Sequence, residues 1–296
     1  MPRKPLPPQL RAAAFTVGQG RSLGLGQSRL RGPDLQRPFR GVRIGIGASA
    51  PEAPSPEQVL RIRCAAPALV VPAGAVFSHL TAARLWPLPL TRPRAVEPIH
   101  LSVQRPARPP RRKGVAGHVV SDPLMTVVRR GGLRLVDAST LWCQLAGQLS
   151  LPDLVAVGDA LTLVPVFAPT WAQRPWVTLD QLTRRVQLFR GRGKANAATA
   201  LTHVRPGAES RQESILRLAL LEAGLPEPEV NVDICDARGR FLGRGDLVYR
   251  RWKVIVEYDG DQHRTDTPVR QGRPASRRPC VRRVDGGAGR RTVLPA

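Results

Sequence analysis

Three acids near the C-terminal end have the spacing of an oxygen-ligand site. Residues 230–258 read as three strands, with a turn around Ala237-Arg238-Gly239 and a second at Arg251-Trp252. If Arg251 and Trp252 form a two-residue turn, Asp246 stands as many residues before it as Glu257 stands after it. The two then face each other across an antiparallel pair, with Cβ atoms about 4.5–5.5 Å apart. At that distance two carboxylates repel, so one takes a proton or a cation sits between them. Asp259, two residues beyond Glu257, shares its face, which would also carry Val248 and Ile255. Stability alone does not place three acids on one strand-pair face. Paired carboxylates of this kind suit Mg²⁺, with water and phosphate completing its octahedron.

The second chemical signal is charge. The chain has 296 residues, with 46 Lys and Arg against 22 Asp and Glu, a net +24. Lysines stand only at 4, 113, 194 and 253, so arginine carries nearly all of the charge. Together with abundant Ala, Gly and Pro, this is what a GC-rich coding sequence produces. The charge still collects counter-ions and attracts phosphate backbones, which makes DNA the expected partner. Its densest local cluster, Arg105, Arg108, Arg111, Arg112 and Lys113, lies in one loop between the strands IHLSV (99–103) and VAGHVV (115–120).

Other chemistries are set aside. The four cysteines (Cys64, Cys143, Cys235, Cys280) form no CxxC and have no histidine at ligand spacing. That disfavours a disulfide framework and a structural zinc site, and suits a reducing cytoplasm. Gly18, Gly20, Gly24 and Gly26 do not make GxGxxG after a strand, so no dinucleotide cofactor is expected. The start, MPRKPLPPQL, has no apolar core of a signal peptide, and no run of 18 apolar residues exists, so no membrane association is expected. His79, one residue past an N-cap, reads as a surface or hydrogen-bonded histidine rather than a ligand.

These residues need elements to position them. Residues 1–60 are Pro/Gly/Arg-rich, with room over 15–42 for a small winged helix-turn-helix. Residues 48–58 read as a linker or mobile loop. From 61 to 200 the pattern is α/β. Ser78 caps HLTAARLW, ended by Pro87, and VDASTLWCQLAGQL is helical. Ser150 with Asp153 and Thr178 with Gln181 are capping boxes for two further helices, the second stopped at Gly191. Residues 205–266 begin with a helix capped by Ser210 and continue into the three strands. The expected class is α/β (α+β): a small winged-helix-like and α/β N-terminal region, then an incomplete mixed sheet flanked by helices.

The elements SHLTAARLW, IHLSV and DAL, in that order over residues 15–165, resemble the AbiE-type antitoxin family of actinobacterial chains. That resemblance implies a DNA-binding or regulatory module. Residues 205–266 resemble the PD-(D/E)xK nuclease superfamily, and more closely the Vsr-like restriction-endonuclease-like domains at the C-terminus of actinobacterial proteins. The likeness runs through Glu213 on the first helix, Asp246, and Glu257-Tyr258-Asp259-Gly260 with His263. It implies that Asp246 and Glu257 bind metal and that Glu213 assists through the metal or its water. Gly245 stands where the motif has proline, and Asp259 where it has lysine, as in this subfamily. His263 or a second metal would then activate water or stabilise charge. The expectation is a Mg²⁺-dependent DNA endonuclease domain behind an antitoxin-like DNA-binding region. The rival is a non-catalytic DNA-binding regulator with a degenerate nuclease fold.

After Asp266 the sequence changes character. Residues 267–296 hold eight arginines, four prolines, four glycines and one acid, Asp285, without helical or strand periodicity. They supply seven of the +24 charges and are expected to be disordered. The resembled family continues with DxxRxxxL and GWxVxRV. A one-base shift of reading frame from Gln271-Gly272 permits both patterns. The expectation is a frameshifted tail, an uncovered third strand and weakened nuclease activity.

Overall fold

The computed structural model describes residues 5–11, 14–38, 40–45, 56–91, 97–165, 174–236, 238–258, 279–283 and 291–293. Among these, helices alternate with three sheets, a mixed α and β architecture. The chain divides into two compact units, one of residues 1–87 and 92–141, the other of 88–91 and 142–296.

The N-terminal unit opens with α1 (Pro8–Arg11), β1 (Ala14–Thr16), α2 (Val17–Ser22), a 3-10 turn (Arg29–Arg31), β2 (Leu35–Gln36) and β3 (Val42–Gly45). The strands pair in the order β1-β3-β2, all antiparallel. Thr16 and Gln19 close a capping box that starts α2. Leu10, Phe15, Leu25, Leu30 and Leu35 form a small core of their own. The apolar residues are too sparse for helical periodicity, and the core closes through turns instead.

Then come α3 (Pro56–Ala68), β4 (Val76–Phe77), α4 (His79–Leu85), β5 (Ile99–Gln104), β6 (Val115–Val120), β7 (Val127–Arg130) and β8 (Leu133–Val136). Residues 48–55 of the expected linker lie outside the described residues, whereas residues 56–58 already belong to α3. The five strands run β6-β5-β4-β8-β7. β5 and β6 are parallel, with His100 beside Ala116 and Ser102 beside His118. A parallel pair cannot be closed by a tight turn. The basic loop must therefore travel back along the strands, and it does so over Gly117, where a Cβ would meet the Pro110 carbonyl at 2.6 Å.

The division between units falls inside α5 (Ala138–Leu145). The second unit continues with α6 (Leu151–Thr162), α7 (Leu179–Leu188), α8 (Lys194–His203) and α9 (Arg211–Glu222). Its strands are β9 (Glu229–Cys235), β10 (Phe241–Tyr249), β11 (Val254–Tyr258), β12 (Pro279–Arg283) and β13 (Arg291–Val293). The caps at Ser150, Thr178 and Ser210 each accept the backbone N–H three residues on. α7 stops at Leu188, before Gly191.

Helices α6 to α8 group with the C-terminal strands. The reason is a buried polar network. Asp159 of α6, fully buried, accepts from Ser214 Oγ at 2.7 Å, from the Arg217 guanidinium at 3.1 Å and from the Arg205 backbone N–H at 2.7 Å. Arg217, equally buried, also donates to the His203 carbonyl and to Glu227, each at 2.7 Å. Charges out of water must be paired, and this pairing holds α6, α8 and α9 as one body.

The sheet runs β13-β12-β11-β10-β9, antiparallel throughout. Leu247, Tyr249 and Val256 pack with Leu216 and Leu220 of α9. The expectation of a tail without regular structure and an uncovered β11 is corrected here. β12 pairs along all of β11, from Val254 opposite Arg283 to Tyr258 opposite Pro279. An edge strand presents a row of unpaired N–H and C=O groups, and backbone pairing needs no side-chain periodicity from the segment that takes them.

Candidate functional site

The carboxylates come first. Leu247 faces Val256, Val248 faces Ile255 and Tyr249 faces Val254. This is the register expected from sequence, although the turn is longer: Arg250–Trp252 form a 3-10 turn and Lys253 closes it at φ 51°. The paired register ends at Leu247 and Val256; continued by one step it would bring Asp246 to Glu257. The regular ladder gives way there, and Asp246 Oδ2 accepts the Tyr258 backbone N–H at 3.2 Å. Both acids are half-buried.

On its other side β10 pairs with β9, Gly245 opposite Val232 and Leu247 opposite Val230, which sets Asn231 opposite Asp246. Asn231 has φ 50°, a left-handed conformation that asparagine tolerates and other non-glycine residues rarely adopt. Its Nδ2 donates to the Gly207 carbonyl and to Glu213 Oε2, both at 2.7 Å. Glu213 Oε2 also accepts the Glu209 backbone N–H at 2.9 Å. Glu213, Asn231, Asp246 and Glu257 thus follow one another across α9, β9, β10 and β11. Asn231 escaped the sequence reading because its neighbours suggest only an ordinary strand. Asp259 and His263 lie outside the described residues.

The basic loop is in the N-terminal unit. Arg105, Arg108, Arg111, Arg112 and Lys113 are all exposed, so their charges are available to phosphates. Contact with about six phosphates would make log K for DNA fall against log salt with a slope of about −5. Replacing Arg108, Arg111 and Arg112 by serine is expected to flatten that slope by about 2–3. Filter binding across a salt series measures it, and a wild-type affinity indifferent to salt would show that the loop does not hold phosphate.

A third constellation had no sequence expectation. Among the described residues, the one group of three or more His, Cys, Asp or Glu whose ligand atoms all lie within 4.8 Å is His79, His100 and His118. Glu213, Asp246 and Glu257 are not gathered that tightly. The short strand β4 pairs antiparallel with β5, so residues 78 and 79, just past it, arrive beside His100. His118 comes from β6, on the other side of β5.

His100 Nδ1 lies 2.9 Å from His118 Nε2, and the His79 and His118 rings stack with centroids 3.9 Å apart. Ser78 occupies the cap position of α4, but its hydroxyl makes no cap bond. Instead it meets His79 Nδ1 at 3.0 Å and accepts from Ser102 Oγ at 2.8 Å, correcting the expectation of a capping serine. The Thr81 hydroxyl accepts the His100 backbone N–H.

Burial, reinforced by the neighbouring rings, holds His79 down to about 3 and His100 down to about 4. Burial lowers His118 as well. All three are neutral at pH 7, with lone pairs to offer. His79 is therefore half-buried and hydrogen-bonded to Ser78, the second of the two expectations for it, rather than a surface residue. A sequence signal existed: three of the chain's five histidines fall on the helix start and two strands of one sheet.

No protein-family model matches this chain, and no curated protein matches it. No described helix is long and apolar enough to cross a membrane.

Proposed function

We propose that the C-terminal unit is a Mg²⁺-dependent endonuclease domain acting on DNA, in a chain whose N-terminal unit contributes an antitoxin-like DNA-binding region. The observation that carries this reading is the bond from the Tyr258 backbone N–H to Asp246 Oδ2, which ties Asp246 of β10 to the end of β11 that bears Glu257. The donors there are hard carboxylate oxygens, half-buried, with neither thiolate nor imidazole among the described members, which is the donor set Mg²⁺ prefers. Asp246 and Glu257 would hold the ion, which when bound polarises a phosphate and lowers the pKa of its water.

The chain's own residues supply the rest. The Tyr258 backbone N–H fixes one Asp246 oxygen and so orients the carboxylate. Asn231 ties the Glu213 carboxylate to β9, keeping the helix-borne acid in line with the strand-borne pair. The exposed arginines of the basic loop supply sequence-independent attraction to the phosphate backbone.

The test is nicking of supercoiled plasmid by the full chain, with Mg²⁺ and with chelator. Slow nicking that chelator stops is the expected result. Asp246→Ala should remove it while leaving DNA retention in filter binding unchanged. Nicking by Asp246→Ala at the wild-type rate would end the proposal. Salt-sensitive DNA binding with no nicking in any divalent ion would replace it with the non-catalytic regulator.

A further inference from the structure

The histidine cluster of the N-terminal unit has no part in the carboxylate chemistry, yet it has the composition of a metal site. We infer that His79, His100 and His118 bind one first-row transition ion of the Zn²⁺ class, each imidazole supplying one nitrogen. Imidazole suits such ions, whereas Mg²⁺ and Ca²⁺ seek oxygen.

The distances fit a site that closes on its ion. Two imidazole nitrogens on one tetrahedral Zn²⁺ lie about 3.3 Å apart, given Zn–N bonds of about 2.0–2.1 Å. His100 Nδ1 and His118 Nε2 are 2.9 Å apart, sharing one proton between two lone pairs. An ion takes both lone pairs once that proton has moved to the other nitrogen of its own ring, and it spreads the pair by a few tenths of an ångström. All three ligand atoms already lie within 4.8 Å of one another, so His79 need only close in. The His79 and His118 rings are stacked, 23° from parallel. Binding therefore turns the His79 ring edge toward the ion.

The surroundings hold the His79 ring by one nitrogen. Ser78 Oγ accepts from Ser102 and meets His79 Nδ1 at 3.0 Å. A ligating histidine whose other nitrogen is held by a fixed partner is the usual arrangement around zinc. It also accounts for the Ser78 hydroxyl being diverted from the helix cap. His100 is buried and His79 and His118 are half-buried, and neutral rings are the form that binds metal without first losing a proton. Three protein ligands leave the fourth position to water or a small ligand.

The experiment uses the full chain, stripped with chelator, reloaded with Zn²⁺ and passed through a desalting column before metal analysis. About one Zn²⁺ per chain should be retained, and Zn²⁺ should raise the unfolding midpoint of the stripped protein. His100→Gln and His118→Gln should each fall to background, whereas His203→Gln, on α8, should retain the wild-type content. Co²⁺ added to the stripped wild type should give the visible ligand-field absorption of a tetrahedral site, a readout that needs no variant to fold. A wild type that retains no Zn²⁺, a Co²⁺ spectrum identical to that of hydrated Co²⁺, or unchanged retention in both variants would each overturn the inference. Metal content is read directly, so the result is independent of nicking.

Discussion

Asp159→Ala is expected to destabilise the C-terminal unit by about 3 kcal/mol, the low end of the cost of breaking a buried ion pair, because Arg217 keeps Glu227 as a counter-charge. Arg217 is fully buried, and in the variant its guanidinium keeps only Glu227 and the His203 carbonyl. The Ser214 hydroxyl and the Arg205 backbone N–H lose their acceptor as well. Burial pushes the Asp159 carboxyl up, while the Arg217 charge and the surrounding donors pull it back. Asp159→Asn, which keeps the shape and part of the hydrogen bonding, should therefore cost less than Asp159→Ala. Arg217→Met should cost about as much as Asp159→Ala, because it strands the buried Asp159 carboxylate with only the Ser214 hydroxyl and the Arg205 backbone N–H. Urea unfolding of the three variants checks the order. A loss below about 1 kcal/mol for Asp159→Ala would mean that water reaches Arg217 and that the network does not bind α6 to α9.

The second large effect is acid sensitivity of the N-terminal unit in metal-free protein. His79 titrates at about 3 and His100 at about 4 in the folded chain, against 6.5 for an ordinary histidine. Between those limits the unfolded chain binds more protons than the folded one, so stability rises with pH and is lost on acidification. From pH 7 to about 4.5 the loss is on the order of 3–5 kcal/mol, taken for the cluster as a whole because the charged rings repel one another. The acid that opposes this is Glu97, whose charge raises His100 but which is already paired with Arg84 at 2.9 Å. Hydrogen exchange of peptides covering residues 99–120, corrected for the intrinsic rate at each pH, should show protection falling as pH drops below about 6.5. Protection that stays constant down to pH 4.5 would show that the rings are solvated and protonate at no cost. Bound Zn²⁺ should shift the loss to lower pH, since protons and metal compete for the same lone pairs.

Much of this protein was legible from local physics. Ser150, Thr178 and Ser210 each start a helix where a side-chain oxygen meets an N–H three residues on, a fact of chain geometry that needs no tertiary partner. The register of β10 with β11 follows from strand alternation about a turn. It survives a longer turn than expected because two residues were added symmetrically, Arg250 before the expected pair and Lys253 after it. The basic loop was visible as a run of charge bounded by two β-branched segments, and it is exposed as charge must be without partners.

Long-range pairing decided the rest. Nothing in residues 99–120 states whether two apolar strands join as a hairpin or lie parallel, yet only the parallel arrangement sets His118 beside Ser102 and next to His100. The β4–β5 pairing then delivers Ser78 and His79 to the same place, across a gap in sequence that no local spacing rule spans. Asp159 and Arg217 likewise look like ordinary surface charges on two helices until packing removes the water from both. Caps, turns and alternation act within a few residues, where chain stereochemistry dominates. Which distant polar groups share a buried space depends on how whole elements pack, and that is settled only when the cores close.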